Sequence, residues 1–210
     1  MDELEYQVAA HVGTGLPATG LPATSRPVSN TARRVLVLGG SRSGKSRYAE
    51  EYFGTGLPVT YVATAPDFPG DPEWADRVRQ HRSRRPATWS TVETGDPARV
   101  LDSAADGAPI LVDSVTTWLS RVMDDCACWD DELRRESAER LSAALDALAG
   151  AWANTGGLAV AVSDEVGSGI VPESVAVRRF RDVLGELNQR LAATSDEVWL
   201  VTAGIPLRLR

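Results

Sequence analysis

An α/β fold, with three αβα layers around a mostly parallel sheet, is predicted by three features of this 210-residue sequence. Short, nearly continuous runs of Val, Ile and Leu recur along the chain, as in strands buried on both faces. Amphipathic stretches of helical spacing separate them, an alternation that produces parallel strands with helical crossovers. The turn after the first apolar run reads Gly39-Gly40-Ser41-Arg42-Ser43-Gly44-Lys45-Ser46. This matches the phosphate-binding P-loop pattern G-x-x-x-x-G-K-[ST] in full, between a strand and a helix as that motif requires.

Residues 1–33 stand apart. Thr14-Gly-Leu-Pro-Ala18 repeats at once as Thr19-Gly-Leu-Pro-Ala23, in a Pro/Gly-rich, low-complexity segment that can bury little. It reads as a flexible extension ahead of one domain spanning residues 34–210. Within that domain Val35–Leu38 is the first strand, and a helix opens at Ser46. Further strands are expected at Val59–Ala63, Ile110–Asp113, Leu158–Ser163 and Val198–Thr202, with Ile205–Leu209 as a possible edge strand. Acidic Asp130, Asp131 and Glu132 suggest a helix start ahead of Leu141, Leu145, Leu148 and Trp152, which follow helical spacing. Phe180, Leu184, Leu187 and Leu191 define another helix.

Composition narrows the function. Hydrophobic residues make up 43% and charged residues 24%, an ordinary globular balance. A net charge of −7 argues against nucleic-acid binding by bulk electrostatics. No apolar stretch approaches the length of a membrane span, and the first residues lack a secretory signal pattern, so a cytoplasmic protein is expected. Cys126 and Cys128 have neither a second pair nor a nearby histidine to complete a zinc site, and read as reduced structural thiols.

The chemistry gathers where parallel strands end, because ligands of such sheets bind outside the carboxyl ends of the strands. Small residues in the P-loop let backbone N–H groups converge on phosphate oxygens, and the following helix adds its partial positive charge. Lys45 can reach the β- and γ-phosphates, and the Ser46 hydroxyl can join a Mg²⁺ shell. Asp113 closes a hydrophobic strand, the placement of a carboxylate that holds Mg²⁺ or its water. His81 sits among arginines in Asp76-Arg-Val-Arg-Gln-His-Arg-Ser-Arg-Arg-Pro86. That segment reads either as a solvated basic helix end or as a nucleophile or acid beside phosphate, with Arg82, Arg84 and Arg85 as charge clamps. A regulatory GTPase is disfavoured, since Asp113 is not followed by the Asp-x-x-Gly pattern and no Asn-Lys-x-Asp occurs.

The conjunction of motifs resembles one family, the bifunctional adenosylcobinamide kinase / adenosylcobinamide-phosphate guanylyltransferases of cobalamin biosynthesis. Beside the P-loop, the matching strings are Tyr61-Val-Ala-Thr-Ala65, His81-Arg-Ser-Arg-Arg-Pro86 and Leu111-Val-Asp-Ser-Val-Thr-Thr-Trp-Leu119. Ser163-Asp-Glu-Val-Gly-Ser-Gly-Ile-Val-Pro-Glu173, Asn188-Gln-Arg-Leu191 and Asp196-Glu-Val-Trp-Leu-Val-Thr-Ala-Gly-Ile-Pro206 complete them. The resemblance implies a RecA-like P-loop NTPase core, homotrimers, and two reactions. ATP or GTP phosphorylates adenosylcobinamide, and GTP then donates GMP to the resulting phosphate through a GMP–histidine intermediate. It implies His81 as that nucleophile and Lys45 as its catalytic partner. Nucleotide contacts are implied at Gly39 to Ser46, at Ala63, Thr64 and Ala65, at Arg82, Ser83, Arg84 and Arg85, and at Glu93 and Asp113, with Ser46 and Asp113 on Mg²⁺. The corrinoid is then a substrate; the chain lacks the Asp-x-His-x-x-Gly motif of a corrinoid carrier. Gln80 stands where some relatives carry a second histidine, and Asp113 where some carry glutamate. The competing enzyme reading is another P-loop small-molecule kinase without guanylyl transfer. The competing non-enzyme reading is a nucleotide-dependent binding protein.

Overall fold

The computed structural model describes residues 33–54, 56–65, 79, 82–104, 107–130 and 132–210. The extension before residue 33, the Pro66–Pro72 loop, Gln80 and His81 lie outside these residues. Val35, Leu36 and Val37 are wholly buried in β1 (Arg33–Gly39), the strand that carries the P-loop. Around it run β2 (Thr60–Ala63), β3 (Ser90–Glu93), β4 (Ile110–Asp113), β5 (Leu158–Asp164), β6 (Glu197–Thr202) and β7 (Ile205–Arg208). They form one seven-stranded sheet in the order β3-β2-β4-β5-β1-β6-β7. Every pairing is parallel except that of β7, which folds back antiparallel on β6.

The sheet separates two apolar layers by the alternation of side chains along each strand. Leu36, Val62, Ile110, Val112, Ala159, Ala161 and Val198 pack against α2 (Pro97–Ser103), α3 (Val115–Asp125), α4 (Arg135–Asn154) and α5 (Val175–Thr194). Val35, Val37, Tyr61, Leu111, Val160, Val162 and Val201 face the other way, onto Ala49 of α1 (Lys45–Tyr52) and Phe53 beyond it. The predicted helical stripes face the core, with Phe180 alone only half-buried. Leu141, Leu145, Leu148 and Trp152 seat α4, while Leu184, Leu187 and Leu191 seat α5. Each such leucine stabilises by about 1.5–3 kcal/mol relative to exposure. Trp152 Nε1 donates to Ser195 Oγ at 3.1 Å, so the indole is satisfied while buried.

Local chemistry sets the helix starts. Asp96 accepts from Arg99 N–H, with Pro97 opening α2. Ser114 and Thr117 form a capping box at α3, and Ser174 caps α5. Two expectations change. The acidic run does not begin α4, which starts at Arg135 with only Glu136 as an acidic residue in its first turn. β3 is a strand that the apolar pattern does not reveal, because Ser90, Thr91 and Glu93 flank a single valine at the sheet edge. Cys126 and Cys128 are buried free thiols, and burial pushes the Cys128 thiol up from its ordinary range. Among the described residues no helix is long and apolar enough to cross a membrane.

Candidate functional site

The P-loop leaves β1 at Gly39, where there is no room for a side chain. A Cβ there would lie 2.5 Å from Ser43 Oγ and 2.6 Å from the Val201 carbonyl oxygen. The chain then doubles back, with Ser43 N–H donating to Gly40 O at 3.2 Å. Arg42 and Gly44 take left-handed backbone, with φ of 55° and 95°. Gly204, in the tight β6–β7 turn, donates its N–H to Ser43 O at 2.8 Å and braces the loop from outside. Gly44 is the N-cap of α1 and supplies no side-chain cap. Lys45 N–H makes a long 3.4 Å bond to Ser43 Oγ, and the amides of Ser46 and Arg47 that follow are left for an anion, the arrangement that phosphate oxygens satisfy.

Two carboxylates at adjacent strand ends meet the loop. Asp113, ending β4, faces Ser46 Oγ with Oδ1 at 3.4 Å and accepts from Tyr61 O–H on Oδ2 at 2.8 Å. Burial, and then the Asp113 charge, push the Tyr61 phenol far above its usual range, so it stays a donor at every working pH. Asp164, ending β5, holds Lys45 Nζ at 2.6 Å from its Oδ1. Lys45 also donates to Gly40 O at 3.3 Å. The main chain of Asp164 is pinned on both sides: its N–H donates to Thr116 Oγ1 at 2.7 Å, and its carbonyl accepts from Asn188 Nδ2 at 3.1 Å. Ser46 and Asp113 offer the hard oxygen donors that Mg²⁺ takes, and so fit that ion. No cluster of three or more His, Cys, Asp or Glu that could hold a metal occurs among the described residues.

The remaining residues expected at the site fall into two groups. Ala63 closes β2, and its carbonyl accepts from Thr94 N–H at 3.0 Å; Ala65 follows it. The Thr64 hydroxyl is fully buried and committed to structure, donating to Ser114 O at 2.6 Å and accepting from Ser114 N–H at 3.0 Å. Any nucleotide contact by Thr64 must use its main chain. Residues 82–84 are helical, with Ser83 exposed. Arg82 pairs with Glu93 at 2.5 Å, and Arg84 with Glu50 of α1 at 3.2 Å. Arg85 lies 3.2 Å over the Tyr61 ring. The arginine segment thus reaches the P-loop helix through Glu50, and Asp113 through Tyr61.

Beyond Asp164 the chain forms an exposed loop held by its backbone. Both Glu165 carboxylate oxygens accept from Gly167 N–H, at 2.9 and 3.0 Å. Arg181 donates to the carbonyls of Gly167 and Ile170, and Arg178 to those of Pro172 and Glu173. Sequence reasoning gives neither Tyr61 nor Asp164 a role, although both lie in strings that match the family. The strand-end rule that marks Asp113 marks Asp164 equally once β5 is extended by one residue past Ser163. Tyr61 gives no such signal, because its partner lies on another strand.

A family model described as "Cobinamide kinase / cobinamide phosphate guanyltransferase" matches residues 35–209. A Salmonella typhimurium protein named "Bifunctional adenosylcobalamin biosynthesis protein CobU" is 38% identical over 185 residues, covering 84% of this chain and 99% of its own. A Pseudomonas aeruginosa protein named "Bifunctional adenosylcobalamin biosynthesis protein CobP" is 40% identical over 182 residues, 84% of this chain and 97% of its own. Among solved structures, a type III secretion system ATPase superposes with a TM-score of 0.53 at 14% identity, over 82% of this chain and 51% of that one. That likeness bears on the fold alone, and it is the P-loop αβα fold.

Proposed function

We infer the activity from one premise: the chain belongs to the cobinamide kinase / cobinamide phosphate guanyltransferase family. The protein phosphorylates the hydroxyl of the adenosylcobinamide side arm with ATP or GTP. It then transfers GMP from GTP to that phosphate, giving adenosylcobinamide-GDP and pyrophosphate. The observation that carries this reading is the convergence of Lys45, Ser46, Asp113 and Asp164 on a P-loop, in a chain whose residues 35–209 match the family.

The residues divide the work. The loop amides and Lys45 bind and orient the phosphates, and Lys45 offsets charge on the leaving group. Tyr61 holds Asp113 so that Oδ1 points towards Ser46. Ser46 and Asp113 would hold Mg²⁺, which when bound neutralises charge on the transferring phosphates. His81 supplies the nucleophile for the second reaction. A neutral imidazole, with an ordinary pKa of about 6.5, attacks the α-phosphorus of GTP. The nitrogen–phosphorus bond forms as the bond to the pyrophosphate oxygen breaks, and the acceptor phosphate then displaces the imidazole. Arg82, Ser83, Arg84, Arg85 and Glu93 surround that nucleotide, with Ala63, Thr64 and Ala65 lining it through main chain. The protein works in the cytoplasm as a homotrimer.

Incubation with α-labelled GTP tests the assignment. Wild-type protein is expected to retain an acid-labile, alkali-stable label that His81→Ala lacks, while His81→Ala keeps phosphorylating adenosylcobinamide. Lys45→Ala is expected to impair both reactions. An active wild-type preparation that forms phosphorylated product but never carries the label would leave only a kinase.

A further inference from the structure

The first reaction needs a group to take the proton of the attacking hydroxyl. His81 belongs to the second reaction. Three carboxylates stand at the carboxyl end of the central strands: Asp113, Asp164 and Glu165. Both oxygens of Asp113 are turned to other tasks, Oδ2 to the Tyr61 phenol and Oδ1 to Ser46. Both oxygens of Glu165 are folded back onto Gly167 N–H. Asp164 differs. Its Oδ1 meets Lys45, and its Oδ2 has no hydrogen bond among the described residues. Its side chain is 26% exposed, enough for a substrate atom to reach it.

We propose that Asp164 is the base of the kinase step, held in reserve by Lys45 until a nucleotide arrives. This rests on the kinase reading above. The position follows from the P-loop lysine itself. Lys45 serves the β- and γ-phosphates, and Asp164 Oδ1 lies 2.6 Å from its ammonium, so the carboxylate stands beside the place the γ-phosphate takes. When the phosphates draw the ammonium away, the carboxylate faces the transferring group without its counter-charge. The acceptor oxygen then bonds to the γ-phosphorus as the bond from that phosphorus to the β–γ bridging oxygen breaks. The electron pair leaves on the nucleoside diphosphate, and the hydroxyl proton passes to Asp164, then to water once product departs. Three elements fix the group for this. Strand β5 supplies its main chain, Thr116 of α3 accepts its N–H, and Asn188 of α5 donates to its carbonyl.

The same geometry makes a second, opposite consequence measurable. A carboxylate that competes for Lys45 and faces bound phosphate weakens nucleotide binding. Asp164→Asn, close in size and unable to accept the proton, should therefore bind GTP at least about twofold more tightly by calorimetry, from release of the lysine alone. Its kcat for phosphorylating adenosylcobinamide should fall by about 10²–10⁴. Asp164→Glu should recover part of that loss. Formation of the GMP–enzyme label, which needs no such proton transfer, should fall by less than tenfold. Tighter GTP binding with near-wild-type phosphorylation would reduce Asp164 to a resting partner of Lys45 and overturn the proposal. Weaker GTP binding, with both reactions lost together and no recovery in Asp164→Glu, would make it a structural strut and overturn it equally. If wild-type protein itself phosphorylates no adenosylcobinamide, the kinase reading fails instead, a result distinct from either.

Discussion

At the scale of single residues the site is held by a few contacts that tolerate little change. Gly39 and Gly40 are neighbours in the same motif, yet the structure separates them. A Cβ at Gly39 would press into the Val201 carbonyl, part of the central sheet, whereas one at Gly40 meets nothing within 4 Å. Gly39→Ala should cost about 1–3 kcal/mol in urea unfolding, the range for overpacking, and Gly40→Ala should stay near wild type. Equal losses in both would show that the loop backbone, not this approach, sets the requirement. Tyr61 gives a second prediction. Tyr61→Phe keeps the ring under Arg85 but removes the donor that orients Asp113. The Mg²⁺ concentration for half-maximal kinase activity should rise about 10–100-fold, as for other groups that orient a ligating carboxylate. Unchanged Mg²⁺ dependence would remove Tyr61 from the site. The glycines, Lys45 and Ser46 are legible in the sequence because their motif is local, and Asp113 because it ends an apolar strand. Tyr61 is not, since its role arises only when β2 and β4 pair and its hydroxyl reaches across.

At the scale of elements, legibility followed burial. β1, β4 and β5 announce themselves because both of their faces are covered, and so each carries a continuous apolar run, Val35–Leu38, Ile110–Val112 and Leu158–Val162. β3 does not, because an edge strand with one partner needs no such run. The start of α4 was misplaced for a related reason. Acidic residues favour a helix N-terminus by a few tenths of a kcal/mol, too little to outweigh packing, which sets the register from Leu141 onward. The junction between β1 and β6 carries a polar device that no periodicity reveals. Arg34 N–H donates to Asp196 Oδ2 at 2.7 Å, while Asp196 N–H donates to Arg34 O at 2.8 Å. Burial alone would raise the Asp196 carboxyl, but hydrogen bonds from the Arg34 main chain and side chain, with the Arg34 and Arg33 charges, outweigh it and hold it below its ordinary value. Such a group stabilises the fold above its unfolded value of about 3.9, and the contribution is lost as pH falls through the lower folded value. Asp196→Asn should therefore flatten the loss of stability below about pH 4 that the wild type shows in urea titrations. An identical acid limb in the variant would assign that loss to other carboxylates.

At the scale of the whole molecule, the strand order does what no single motif can. β1 lies between β5 and β6, with β4 beyond β5, so the P-loop, Asp164 and Asp113 come together at the carboxyl ends of the central strands from well-separated parts of the chain. The alternation of strands and helices is readable in the chain, but this order is not, because parallel strands joined by helices can be arranged in several ways with the same pattern. The consequence is that nucleotide binding draws on the central strands and should stabilise the entire domain. GTP at a hundred times its dissociation constant adds about 2.7 kcal/mol. For a domain of this size each kcal/mol moves the midpoint by about 2–4 °C, so Mg²⁺–GTP should raise Tm by roughly 5–10 °C. Chelating Mg²⁺ should remove much of that shift, because Ser46 and Asp113 then contribute no shared ligand to the phosphates. Lys45→Ala should remove most of it, whereas His81→Ala should retain it, since binding at the P-loop would precede the transfer proposed for His81. A shift lost in His81→Ala but kept in Lys45→Ala would place the main nucleotide contacts away from the P-loop and reverse the division of labour at these strand ends.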